Sequence, residues 1–163
     1  MAAKLGHKPL VTILLANGAE LNSQDHYVEY PNGNQGSTPL IEATRGGFIE
    51  ISQQLIFKGA NINKIDQLSL LGYETTALMV AAENHNLEIV KILVENGADL
   101  NIGLDNKGCA TKSTALDFVD PRDAIIVEYL QERGARHKLD NRDNKNCVFD
   151  SLGAVINVVD IRR

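Results

Sequence analysis

Residues 76–101 read TALMVAAENHNLEIVKILVENGADLN, and this stretch decides the fold. Thr76 is placed to cap a helix, its hydroxyl accepting an early backbone N–H. Leu78, Met79, Ala81 and Ala82 supply an apolar face before Asn84-His85-Asn86 interrupts the pattern. A second helix is predicted from Leu87, because Leu87, Ile89, Val90, Ile92, Leu93 and Val94 form a wide apolar stripe at helical spacing. Gly97 is expected to end it in the left-handed conformation, where a Cβ is unfavourable. His85 reads as another left-handed turn residue rather than a base.

The same design recurs on both sides. Gly-Ala pairs stand at Gly18, Gly59, Gly97 and Gly134, spaced by 41, 38 and 37 residues. Thr-x-Leu stands at Thr38, Thr76 and Thr114, and Thr lies 21, 21 and 20 residues before its Gly. That near-constant inner distance marks a fixed unit, while the part from Gly to the next Thr absorbs insertions. In the second unit Pro39 occupies the first helical position, where its missing N–H does no harm. Its apolar set is Leu40, Ile41 and Ala43, then Phe48, Ile49, Ile51, Leu55 and Ile56. Small residues on the first helices (Ala43, Ala81, Ala82) allow neighbours to approach closely. One helix pair cannot bury its apolar face alone, so the units must stack.

The strings TPLIEATRGGFIEISQQLIFKGANIN (38–63) and TALMVAAENHNLEIVKILVENGADLN (76–101) resemble the ankyrin repeat. AAKLGHKPLVTILLANGAELN (2–22) resembles its last two-thirds. TALDFVDPRDAIIVEYLQERGAR (114–136) is similar but one residue shorter, with Asp120-Pro121 replacing the end of the first helix. The resemblance implies an all-α solenoid of stacked helix-turn-helix units with elongated β-hairpin connectors. Its units span 1–24 (incomplete), 38–66, 76–106 and 114–136, followed by 137–163. Gly-to-Thr distances of 20, 17 and 17 residues leave inserts of eight, five and five over the family's usual period of 33.

The ends depart from this pattern. The first unit lacks a Thr-x-Leu entry, and its first helix is expected to be about one turn, which is marginal. No polar N-terminal cap is visible, so the natural protein is expected to continue upstream of Met1. Residues 137–146 are a polar connector. Beyond it, Asp150 is expected to cap a short helix with Leu152, Val155, Ile156 and Val159 on one face. A strand from Ala154 to Ile161 competes, because Gly153 and the β-branched run disfavour a helix. This segment is expected to cover the fourth unit, with the start of a downstream domain as the alternative.

Composition narrows the function. Of 163 residues 44% are hydrophobic and 23% charged, the balance of a folded chain. A net charge of −5 argues against tracking a phosphate backbone, so no nucleic-acid partner is expected. No run approaches the ~20 apolar residues of a membrane span, and MAAKLGHKPL holds no secretory h-region. Cys109 and Cys147 read as reduced thiols, which points to a cytoplasmic location. His7, His26, His85 and His137 form no i, i+4 pair and no Cys-x-x-Cys occurs, so no metal or cofactor is expected. His7 follows Gly6 at a helix start and reads as a turn device. The Gly33–Gly36 stretch lacks the Lys-Ser/Thr of a phosphate loop, and no catalytic residue is expected.

Binding is the remaining class. By position, the resemblance implies that Glu42, Arg45, Val80, Glu83 and Asn84 line a concave face. The inserts contribute Tyr27, Tyr30 and Tyr73, with Leu68, Leu70 and Leu71; tyrosine suits interface anchoring. The alternative is that Tyr30, Leu70 and Tyr73 pack the hairpins on one another. Residues 1–116 carry 8 basic and 12 acidic side chains, which favours a protein partner with a basic patch. A monomeric protein-binding module or scaffold is therefore expected. The competing reading is the targeting arm of a larger enzyme, such as a secreted bacterial effector delivered into a host cell. The resemblance also makes Asn101 a candidate for hydroxylation.

Overall fold

Thr38 and Thr76 open their helices as the spacing predicts: each hydroxyl accepts a backbone N–H three residues on, from Ile41 at 3.2 Å and Met79 at 3.3 Å. In the computed structural model, residues 1–24, 36–66, 75–103 and 113–137 are described, with the backbone of two further short strands. Tyr27, Tyr30, Leu68, Leu70, Leu71 and Tyr73 lie outside the described residues, as do His26 and Cys109.

The described chain runs α1 (Lys8–Ala16), α2 (Pro39–Arg45), α3 (Ile49–Phe57), α4 (Ala77–Glu83), α5 (Leu87–Glu95), a 3-10 turn (Ala115–Phe118) and α6 (Ala124–Gln131). These elements form two rows. α2, α4 and the 3-10 turn pack side by side, while α1, α3, α5 and α6 follow one another behind them. The solenoid inferred from the repeats is the observed architecture. In place of an inner helix, unit one has a turn over residues 2–6, closed by Leu5 N–H to Met1 O and His7 N–H to Ala2 O.

Unit four departs most from the others. Asp117 reaches back to the Thr114 N–H at 2.8 Å, and the Thr114 hydroxyl donates to the Arg136 carbonyl at 2.7 Å. Proline cannot prolong the turn: Val119 is extended (ψ 132°) and Asp120-Pro121 follows, so the inner element stops after four residues.

The core runs along the stack as ladders. Leu40, Leu78 and Leu116 occupy matching inner positions and are all buried, as are Ile51, Ile89 and Ile126 on the outer helices. Full burial of each such side chain contributes roughly 1.5–3 kcal/mol. Ala43, Ala77, Ala81 and Ala82 have no exposed surface, which is how adjacent inner helices come so close. The Gly-Ala glycines have φ of 77°, 93°, 89° and 91°, as a C′ residue needs. His85 takes the turn position held by Gly47 in unit two, at φ 56°. Its imidazole meets Asp123, the residue preceding α6, so a side chain at a strained position links two units.

An antiparallel bridge pairs Asp66 with Thr75, and the connector residues 67–74 between them lie outside the described residues. At the C-terminus Val155 and Ile156, expected on a helix face, lie in a strand instead. Cys147–Phe149 (β1) pairs antiparallel with Val155–Asn157 (β2), matching Val148 to Ile156. Over Val155–Asn157 this agrees with the competing strand reading, because β-branched Val155 and Ile156 suit a pleated ribbon; the rest of 154–161 lies outside the described residues.

Candidate binding surface

Counted back 14 residues from each Gly of the Gly-Ala pairs stand Lys4, Arg45, Glu83 and Asp120. They mark the end of each inner element, where the chain turns toward its outer helix. Arg45 sits between two carboxylates: Nη1 is 2.5 Å from Glu42 Oε1 and Nη2 is 3.3 Å from Asp66 Oδ2. Lys4 approaches the other Glu42 oxygen at 3.9 Å. Charge-assisted bonds on two sides hold the guanidinium in place while it stays half exposed.

Asn84 extends the row, its Nδ2 donating to the Arg45 carbonyl at 3.1 Å and tying unit three to unit two. In unit four Asp120 is clamped by Arg122, whose Nη2 lies at 2.6 Å. The Arg122 side chain, then its backbone N–H, hold the Asp120 carboxyl well below the usual carboxylate range. The same contact raises Arg122 further. Glu83 differs from the rest: among the described residues this exposed carboxylate has no ion pair.

Arg45, Glu83 and Asn84 are thus exposed at one edge, as their positions imply. Glu42 and Val80 are not; they are 8% and 3% exposed, so neither presents a side chain to a partner. The inner helices have seven residues and are flanked on both sides, so α4 buries every position from Ala77 to Ala82. In α2 the carboxylate of Glu42 is roofed by Lys4 and Arg45. Sequence reading missed Lys4 and Asp66. Counting back from Gly18 finds Lys4, whereas Asp66 borders an insert of variable length and has no periodic signal.

Asn101 belongs to a ladder on the connector side. Its Nδ2 donates to the Gly134 carbonyl at 3.1 Å and its Oδ1 accepts the Arg136 N–H at 2.9 Å. Asn63 repeats this on Gly97 and Asp99, and Asn22 accepts the Asn61 N–H at 2.7 Å. Each asparagine stitches its unit to the next. His7 caps α1, with Nδ1 accepting the Leu10 N–H at 3.2 Å, which is the turn role expected of it. His137 meets Asp117 at 3.3 Å. Among the described residues no group of His, Cys, Asp and Glu is placed to hold a metal ion, and no helix is long and apolar enough to cross a membrane.

Comparison with known proteins agrees with this geometry. The family model for ankyrin repeats (3 copies) matches residues 1–103 and, overlapping them, 56–143. Ankyrin repeat and KH domain-containing protein mask-1 of Caenorhabditis elegans is 34% identical over 150 residues, covering 91% of this chain and 5% of its own. Ankyrin repeat and SAM domain-containing protein 6 of Rattus norvegicus is 34% identical, covering 83% of this chain and 15% of its own. Alpha-latrotoxin-Lg1a of Latrodectus geometricus is 33% identical over 79% of this chain and 8% of its own. The chain therefore spans a small part of each of these relatives. Repeats of this kind generally mediate protein–protein interaction. With in-register helix pairs, their glycine stops and the matching family model in agreement, the chain belongs to the ankyrin-repeat family.

Proposed function

We propose that this segment is a protein-binding module whose contact surface is the row Arg45, Glu83 and Asn84, continued by the insert residues Tyr27, Tyr30, Leu70 and Tyr73. The observation that carries this reading is Glu83. Its neighbours Arg45 and Asp120 have their charges met within the chain, whereas its exposed carboxylate has none met among the described residues. A partner offering lysine or arginine there satisfies it, in keeping with the acidic balance of residues 1–116. A pre-organised Arg45 reduces the ordering needed on binding.

The test is capture of a partner by the intact chain, by Glu83→Lys, and by a Tyr27/Tyr30/Tyr73 triple alanine variant. The expected result is lost capture by both variants at unchanged melting temperature. Retained capture by Glu83→Lys overturns the charge assignment, and a melting temperature lowered by the triple variant assigns the tyrosines to hairpin packing instead. The small share of each relative that the chain covers favours a second reading, as the partner-holding arm of a longer protein whose catalysis lies elsewhere. Asn101 remains the proposed hydroxylation position. Both ends of its amide are engaged with unit four, so a modifying enzyme has to open that contact, and intact-mass mapping after hydroxylase treatment tests it.

A further inference from the structure

We infer that the Asn17-Gly18 step is a site of spontaneous amide-to-acid conversion, and that the matching Asn96-Gly97 step is protected by the stack. A following glycine favours this chemistry because it has no Cβ to hinder its own amide nitrogen. The two steps are nearly superimposable. Asn17 has φ −95° and ψ 17°, and Asn96 has φ −100° and ψ 16°. Asn17 Nδ2 donates to the Ile13 carbonyl at 2.7 Å, and Asn96 Nδ2 to the Ile92 carbonyl at 2.7 Å. The glycine N–H groups donate to Leu15 O at 3.3 Å and Val94 O at 3.1 Å. Both asparagines are exposed.

In this geometry the reacting groups are occupied by the helix end, so reaction requires the cap to open. The Gly18 nitrogen, deprotonated by solvent base, bonds to Asn17 Cγ. The Cγ–Nδ2 bond breaks and Nδ2 leaves as ammonia. Water then adds to either carbonyl of the cyclic imide and opens it to aspartate or isoaspartate. The local chemistry being equal, the ratio of rates reports the ratio of openings. Those openings differ because the helices are held differently. Leu10 and Leu14 of α1 are 41% and 42% exposed, whereas Ile89, Val90 and Leu93 of α5 are fully buried. Conversion removes the donor to Ile13 O and puts a negative charge at a helix C-terminus, where the dipole disfavours it, so unit one loosens further.

The experiment incubates the intact chain in heavy-oxygen water at mildly alkaline pH and maps label by peptide mass spectrometry, with isoaspartate resolved chromatographically. Asn17 is expected to convert about fivefold or more faster than Asn96. Sub-denaturing urea is expected to bring the two rates together, and Gly18→Ala to slow conversion at Asn17. Equal rates without urea, faster conversion at Asn96, or no conversion at Asn17 while an unfolded peptide of residues 13–22 converts would each overturn the inference.

Discussion

Units one and three have the same outer-helix pattern and opposite fates. Leu10 and Leu14 lie eight and four residues before Gly18, as Ile89 and Leu93 lie before Gly97. The first pair is two-fifths exposed and the second fully buried. Helical spacing is satisfied in both. What differs is the neighbour: α5 packs against both α3 and α6, while α1 packs against α3. A cleft of about 160 Å³ where unit one meets unit two is lined by Met1, Ala3, Val11, Leu14, Leu15 and Leu55. Stability in such a stack is a sum of unit and interface terms, so position along the row sets the value of a side chain more than its identity does.

The strongest way to break this comparison is truncation at equivalent positions. Leu93→Ala is expected to destabilise by about 2–5 kcal/mol in urea unfolding, and Leu14→Ala by under about 1 kcal/mol, since little cavity is created at a half-open site. Equal losses would show that unit one is as well covered as unit three.

Charge comes next. Arg45→Ala takes a charged partner from nearly buried Glu42 and from buried Asp66, and is expected to remove about 1.5–3 kcal/mol. Lys4→Ala touches the same Glu42 from an exposed position at 3.9 Å, and should change stability by less than about 1 kcal/mol. Chemical denaturation of both variants ranks the two contacts.

Backbone terms sharpen the comparison further. Gly97→Ala places a Cβ in open space, so its expected loss of about 1–2 kcal/mol is conformational alone. Gly18→Ala meets the same empty surroundings at φ 77°, and its measured effect should be smaller if unit one opens before the rest. Thr76→Ala removes the α4 cap and is expected to lose about 1 kcal/mol. The smallest effect belongs to the exposed clamp of unit four: Arg122→Ala should return the Asp120 carboxyl toward its ordinary range, read by NMR titration, with no measurable change in melting temperature.

Much of this was legible in the residues. The helix pairs, the Thr38 and Thr76 caps, the glycine stops and the left-handed His85 all follow from short-range rules, because each involves groups within a few positions of one another. The truncation of unit four's inner helix was also readable, since Asp120-Pro121 carries its own steric veto. The candidate surface was read less well. Arg45, Glu83 and Asn84 reach solvent because they end their helices or follow the end directly, whereas Glu42 and Val80 lie within short helices flanked on both sides. The terminal segment stayed open between helix and strand because Leu152, Val155, Ile156 and Val159 satisfy a helical period while Val155 and Ile156 prefer a strand, and spacing alone does not weigh the two; at Val155–Asn157 the strand preference wins.

The sequence by itself determined the repeating unit, where each helix starts and stops, and that the units lean on one another, because those depend on local torsions and on apolar periodicity. Tertiary structure alone decided which equivalent leucines are covered, which carboxylates are met by a cation from a neighbouring unit, and which face of a short helix reaches water. Burial and ion pairing are properties of a side chain's surroundings, and here those surroundings come from residues about 40 positions away in the chain.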